Sequence, residues 1–214
     1  MEDESIHDNA ERRSFETGHD PAGSGRSLFF DISLFSSLLK LCFDAIGAKQ
    51  KRLAIKKLLH SFQWALLYRD KHSGCCVYAE RGELEHKHEL STAKALSQKG
   101  YDVLFAPKAM FSRTEKKFDV FLIRDHIILR ADLKSISSTS KGPIANRIIN
   151  GAAQASRIVV DIVSDIRKRE LIDGLKSGVQ KSESLVEILL FYNSRFYRLN
   201  RNEILSKKIY ELIK

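Results

Sequence analysis

The stretch Lys116–Ser135, KKFDVFLIRDHIILRADLKS, decides the reading of this chain. Phe118–Ile123 and Ile127–Leu133 are runs of β-branched, aliphatic and aromatic residues joined by a short polar turn at Arg124 and Asp125, the pattern of a β-hairpin. An ordinary hairpin would carry Thr or Val where this one carries Asp119, Asp132 and Lys134. With a loop of two to four residues, Asp119 falls opposite a residue between Arg130 and Asp132, so the two aspartates become cross-strand or diagonal neighbours. Lys134, two residues beyond Asp132, projects from the same face. Two carboxylates at such range repel, and a hard divalent cation between them removes the conflict.

The flanking segments place this hairpin in a mixed α/β plan. Glu83–Lys99 has helical spacing and stops at Gly100, the position after a helix where glycine is favoured. Strand patterns follow at Tyr101–Ala106, the two hairpin runs, Arg157–Val163 and Val186–Phe191, with helices expected at Pro143–Ala155 and from Asp165 to about Ser177. Around Ala93, Glu89 falls between Leu90 and Leu96, inside the apolar stripe. A carboxylate there needs a salt bridge or a metal site to receive it. In GPIANRIINGAAQASRIVVDI, Ile144, Ile148, Ala152 and Ala155 form a packing side, and Arg147, Asn150 and Gln154 share another. Gly151, Ala152 and Ala153 let that helix approach a sheet closely. The tail RLNRNEILSKKIYELIK is expected to be a closing helix with Leu205, Ile209 and Leu212 inward.

Upstream, residues 1–27 are polar and aperiodic, a flexible acidic lead-in. Leu28, Ile32, Phe35, Leu39, Cys42 and Ile46 form one helical stripe, and Ile55, Leu59, Phe62 and Leu66 a second. Residues 28–80 are therefore expected to be a helical hairpin, and 81–214 the main domain. Asp31, Lys40 and Asp44 argue against a membrane span in the first helix.

The net charge is +9, but residues 1–25 carry −5, so the rest carries +14. A body this basic is suited to a polyanion, nucleic acid first. Three cysteines, two of them adjacent at Cys75 and Cys76, make no disulfide framework, and the acidic start is wrong for a secretory signal. His86 and His88 lie two apart with no C-x-x-C beside them, so zinc is not expected.

A helix glutamate, three strands carrying D-x(n)-D-x-K across the second and third, then a helix with an inward glutamine and a further strand: this order resembles the PD-(D/E)XK nuclease superfamily. The matching residues are Glu89, Asp119, Asp132, Lys134 and Gln154. Phe118 stands where Pro is usual, and Asp132 where Glu is commoner. More narrowly, HELSTAKALSQKGYDV together with the hairpin and the Ile144–Ile162 segment is similar to the C-terminal tRNA nuclease domains of contact-dependent growth inhibition (CdiA-type) toxins, over about residues 83–206.

That resemblance implies a restriction-endonuclease-like core, with a mixed central sheet flanked by helices. It implies Mg²⁺-dependent hydrolysis of tRNA in the cytoplasm of the producing or a target bacterial cell, after delivery as an effector, and a cognate immunity protein as partner. Asp119, Asp132 and Glu89 would hold or complete the metal site. Lys134 would position water or stabilise charge, and Gln154 would assist. Arg113, Lys116, Lys117, Arg147, Arg195 and Arg198, with Lys108 and Arg201, are candidates for the nucleic-acid backbone, and Phe196 or Tyr197 for stacking. A DNA endonuclease of the same superfamily, or a binding module without catalysis, are the alternatives.

Overall fold

The hairpin at the centre of this reading lies in the middle of an eight-stranded mixed sheet. The structure, a computed structural model, describes residues 64–80, 87–106, 117–125 and 127–214. The expected helix from Leu28, most of the second upstream helix, the lead-in, Lys108, Arg113 and Lys116 lie outside the described residues.

In chain order the elements are β1 (Trp64–Arg69), β2 (Cys76–Glu80), α1 (Lys87–Gln98), β3 (Asp102–Phe105), β4 (Val120–Arg124), β5 (Ile127–Ile136) and α2 (Lys141–Ala152). They continue with β6 (Arg157–Ile162), α3 (Lys168–Gln180), β7 (Glu187–Tyr192), β8 (Arg195–Asn200), α4 (Arg201–Leu205) and α5 (Ile209–Leu212). The strands lie in sequence order, β1 to β8. β2–β3, β5–β6 and β6–β7 are parallel, and the other neighbours antiparallel. Each parallel step needs a crossover, and α1, α2 and α3 supply the three.

Strand alternation divides the core between two faces. Ile158, Val160, Ile188 and Leu190 pack under Ile144 and Ile148 of α2 and Leu171, Ile172 and Leu175 of α3. Val159 and Leu189, the residues between them, join Val103, Val120, Leu122 and Leu133 beneath Ala93 and Leu96 of α1. Strands buried on both sides read as continuous apolar runs, which is why RIVVDI and EILLFY lack polar alternation. The sheet curls over the α1 side: the Tyr101 ring, just before β3, meets Phe196 of β8 edge-on at 6.3 Å.

On the other side α2 and α3 touch almost backbone to backbone. A Cβ on Gly174 would stand 2.8 Å from Ile144 Cβ, and one on Gly178 2.7 Å from Ile148 Cβ. The two glycines, four apart, form a groove for two isoleucines, also four apart.

Strand β5 changes partners midway. Its first half, Ile127–Ala131, pairs with β4, and its second half, Asp132–Ile136, with β6. Asp132 is therefore the first residue of the second pairing, at the point where the ladder to β4 stops.

The structure differs from expectation at both ends. Trp64–Arg69 is a strand, not the end of a helix, and Leu66, assigned to an inward helical face, is half exposed. The Asp70 carboxylate accepts from the amides of His72 and Ser73 at 3.1 and 2.7 Å, and Gly74 has φ 70°, so the chain turns back to form β2. Because β2 pairs with β3, the sheet extends across the expected boundary near residue 80 and takes in residues 64–80. At the C-terminus, Arg195–Asn200 is a strand where no strand was expected. Asn193 and Ser194, at φ 49° and 60°, make the tight turn that creates it. Asn200 then caps α4 through a capping box with Glu203. The closing helix is broken in two; Ile204, Ile209 and Ile213 are buried, and Leu212 faces out.

Candidate active site

Asp119 and Asp132 come together because the β4–β5 loop has only two residues. Arg124 pairs with Ile127 and Val120 with Ala131, so extending the register by one step sets Asp119 against Asp132. Asp125, at φ 48°, absorbs the turn. The carboxylates lie on the α2 side of the sheet, since Asp132 shares its register position with Ile158, which packs under that helix.

Each carboxylate is anchored differently. Asp119 Oδ2 accepts the backbone amide of Leu133 at 2.7 Å, a bond across the hairpin that holds Asp119 toward β5. Asp132 is fully buried, and its Oδ2 meets Lys134 Nζ at 2.6 Å. This is an ion pair without an aligned hydrogen bond to that oxygen. Above it passes α2: a Cβ on Gly151 would lie 2.7 Å from Asp132 Oδ2 and 3.0 Å from Ile158 Cδ1. The backbone can approach the carboxylate only because residue 151 has no side chain.

Gln154 stands at the rim. With its amide oriented by its hydrogen-bonding surroundings, the nitrogen donates to Asp132 Oδ1 at 2.5 Å and to the Lys117 carbonyl at 3.1 Å. It lies in the turn after α2, not within the helix, which ends at Ala152 rather than Ala155. One amide thus ties the end of α2, the entry to β4 and the buried carboxylate together.

The electrostatics follow from this packing. Burial drives the Asp132 carboxyl up to about 7, helped by the neighbouring Asp119 charge and opposed by Lys134. A buried, proton-retaining carboxyl beside a second carboxyl and an ammonium is a place where a cation changes the charge balance.

The expected cluster of three acids does not close. Glu89 lies half buried on α1, the helix that covers the opposite face of the sheet. Among the described residues no three His, Cys, Asp or Glu side chains stand together in a way that could hold a metal ion. The pair itself offers hard oxygen donors, one of them a buried oxygen lacking an aligned donor. That suits Mg²⁺, which takes one or two carboxylates and keeps water in its remaining positions.

Of the cationic candidates, Lys117 is exposed and adjoins this site through the carbonyl that Gln154 binds, and Arg147 is exposed on α2. Arg195 and Arg198 lie on β8, three strands from β5 in the order of the sheet. Arg198 is committed to an ion pair with Glu187. Sequence patterns identified the polar residues of the site but missed the Leu133 amide and the Lys117 carbonyl, since backbone groups leave no sequence signal. Gly151 was legible only as one of three small residues. Comparison of the chain with family models, curated proteins and solved structures finds no match. No described helix is long and apolar enough to cross a membrane.

Proposed function

We propose that this chain is a metal-dependent endonuclease of the PD-(D/E)XK type that hydrolyses phosphodiester bonds, with tRNA as its substrate and a toxin-like role in bacterial competition. The carrying observation is the meeting of Asp119, Asp132 and Lys134 at one point of the sheet, with Gln154 at its rim. The charge of +14 on residues 26–214 supports a polyanionic substrate. The choice of tRNA, and with it delivery to a target-cell cytoplasm and an immunity partner, rests on the sequence resemblance.

Asp119 and Asp132 would hold the divalent ion, which when bound supplies a Lewis acid for a phosphoryl oxygen and an acidified water. Lys134 holds its ammonium against Asp132 Oδ2, where it can orient a water or neutralise charge that develops on the scissile phosphate. Gln154 fixes the Asp132 carboxylate by a bond to Oδ1 and keeps the other oxygen directed at Lys134. Burial of Asp132 excludes bulk water from one side of the pair.

Incubating the full chain with total tRNA and with plasmid DNA, in Mg²⁺ or EDTA, tests the reading. Cleavage of tRNA that EDTA abolishes is expected, with Asp119→Ala and Lys134→Ala each reducing it at least 100-fold, on the order of the loss of one catalytic donor. Cleavage of DNA alone would reassign the substrate. Absence of cleavage from both would leave a binding module.

A further inference from the structure

On the opposite face of the sheet a second group of charges is gathered which the proposed chemistry does not use. Glu187, at the start of β7, is nearly buried. Arg198, on β8, donates to its Oε1 in a close ion pair. Arg157, at the start of β6, pairs with its Oε2 at 3.5 Å without forming an aligned hydrogen bond, so both those atoms are buried and unbonded. The hydroxyl of Tyr101, also buried without a partner, lies within electrostatic range of Arg198. The Tyr101 ring meets Phe196 at 6.3 Å, and Phe196 in turn packs on Phe191 at 4.9 Å.

The Arg157–Glu187 pair is loosely made, with neither buried atom aligned to the other, and the buried Tyr101 hydroxyl has no hydrogen bond, so this neighbourhood has polar capacity left for a ligand or water. Arg157 and Arg198 face Glu187, and Asp125, which also acts on Arg198, is paired with Arg124 at 3.3 Å, so the group keeps a net positive charge; the Arg198 side chain is 56% exposed and can turn outward. An arginine fork matches a phosphate bidentately, and half-buried aromatics beside it offer a face to a base.

The position ties this group to the carboxylate site. Gln154, which binds Asp132, and Arg157 are three residues apart on the turn leading into β6, and Arg157 lies beside Ala131 in the register that pairs Asp132 with Ile158. A strand crossing that rim would touch both faces.

We propose that Arg157 and Arg198, held ready by Glu187, form a phosphate subsite for the substrate strand at a position away from the scissile bond. Its assignment to the substrate rests on the nuclease reading. Glu187 acts as a placeholder anion: it keeps two guanidinium groups oriented until a phosphate displaces the more exposed one.

The test is binding of a labelled single-stranded oligoribonucleotide to the full chain in EDTA, at several salt concentrations, with melting temperature recorded for every variant. Arg198→Ala and Arg157→Ala are each expected to weaken binding about 3- to 10-fold and to reduce the salt slope by about 1. Arg169→Ala, an exposed arginine on α3 (86%), should remain within about twofold of the parent. Glu187→Gln should bind more tightly, because the competing anion is gone. If removal of Arg198 destabilises the fold, Arg198→Lys replaces it, retaining charge but losing the fork, and should weaken binding by a smaller factor.

Millimolar inorganic phosphate should compete with the oligonucleotide in the parent and not in Arg198→Ala. Unchanged affinity in a folded Arg198 variant, an equal loss in Arg169→Ala, weakening by Glu187→Gln in step with its melting temperature, or no binding by the parent would each overturn the subsite. Binding that depends on Arg198 in a chain that cleaves nothing would sink the nuclease reading and leave the subsite. Cleavage in Mg²⁺ with affinity indifferent to Arg198 would do the reverse.

Discussion

Gly151 lies directly over Asp132: the missing methyl would stand 2.7 Å from the carboxylate oxygen that Lys134 approaches. The helix and the buried acid are fitted to each other at a distance that no other residue type allows. Gly151→Ala should therefore displace the carboxylate or lift α2. Alanine is the better helix former by about 1 kcal/mol, but overpacking costs about 1–3 kcal/mol and prevails. A net loss of about 1–2 kcal/mol is expected in urea melts. Gly142→Ala, in the same helix with nothing within 4 Å of its Cβ, should gain about 0.5–1 kcal/mol instead.

Asp132 makes the metal-free fold depend on pH in an unusual direction. Folded, it keeps its proton up to about 7, whereas in the unfolded chain it loses it near the ordinary value of about 4. Between these values the native state binds the extra proton, so the stability contributed is full below about pH 4 and is lost as pH rises through about 7. In EDTA the parent should lose about 3–6 °C of melting temperature from pH 5 to pH 8 relative to Asp132→Asn. Mg²⁺ should restore much of that loss in the parent and none in the variant.

Asp119 has two separable duties. Its charge raises the Asp132 carboxyl, and its Oδ2 accepts the Leu133 amide. Asp119→Asn keeps an acceptor and removes the charge, so the Asp132 titration followed by carbon NMR should move down, and the loss of melting temperature between pH 5 and pH 8 should shrink with it. Asp119→Ala also orphans the Leu133 amide and should cost about 1–3 kcal/mol.

The α2–α3 contact carries a further stability prediction. A methyl at Gly178 would stand 2.7 Å from Ile148 Cβ and 3.1 Å from the Ala145 carbonyl. Gly178→Ala should destabilise by about 1–3 kcal/mol despite its helical gain. The contact falls on Ile148 Cβ and Cγ2, both of which valine retains, so adding Ile148→Val should recover little of that loss; chemical denaturation of the two single variants and the double variant measures the coupling.

Local pattern carried the centre of the molecule. Two apolar runs with a two-residue polar turn can close in only a few registers, so the proximity of Asp119 and Asp132 was readable from chemistry and spacing alone. The helices that precede and follow were legible for the same reason: their apolar positions recur at helical intervals, and Gly100, at φ 86°, ends the first of them. The pattern failed where period and context compete. WALLYR extends a helical stripe by one more residue, yet as β1 it is held by pairing with β2, which a sequence window does not contain. The strand RFYRLN depends on Asn193 and Ser194 both adopting positive φ, and that turn is set by its partner β7.

The residues alone determined which side chains have acid, base and cationic chemistry, how they alternate along each strand, and that one hairpin would carry three of them on one face. Only the tertiary structure decided that β5 exchanges its partner at Asp132, that Gly151 closes over that carboxylate, that Glu89 belongs to the helix on the other face, and that Arg198 is bound to Glu187. The division is physical: alternation and turn length act over a few bonds and are written in adjacent residues, whereas burial, pairing partner and field arise from segments far apart in the chain that meet only when the core forms.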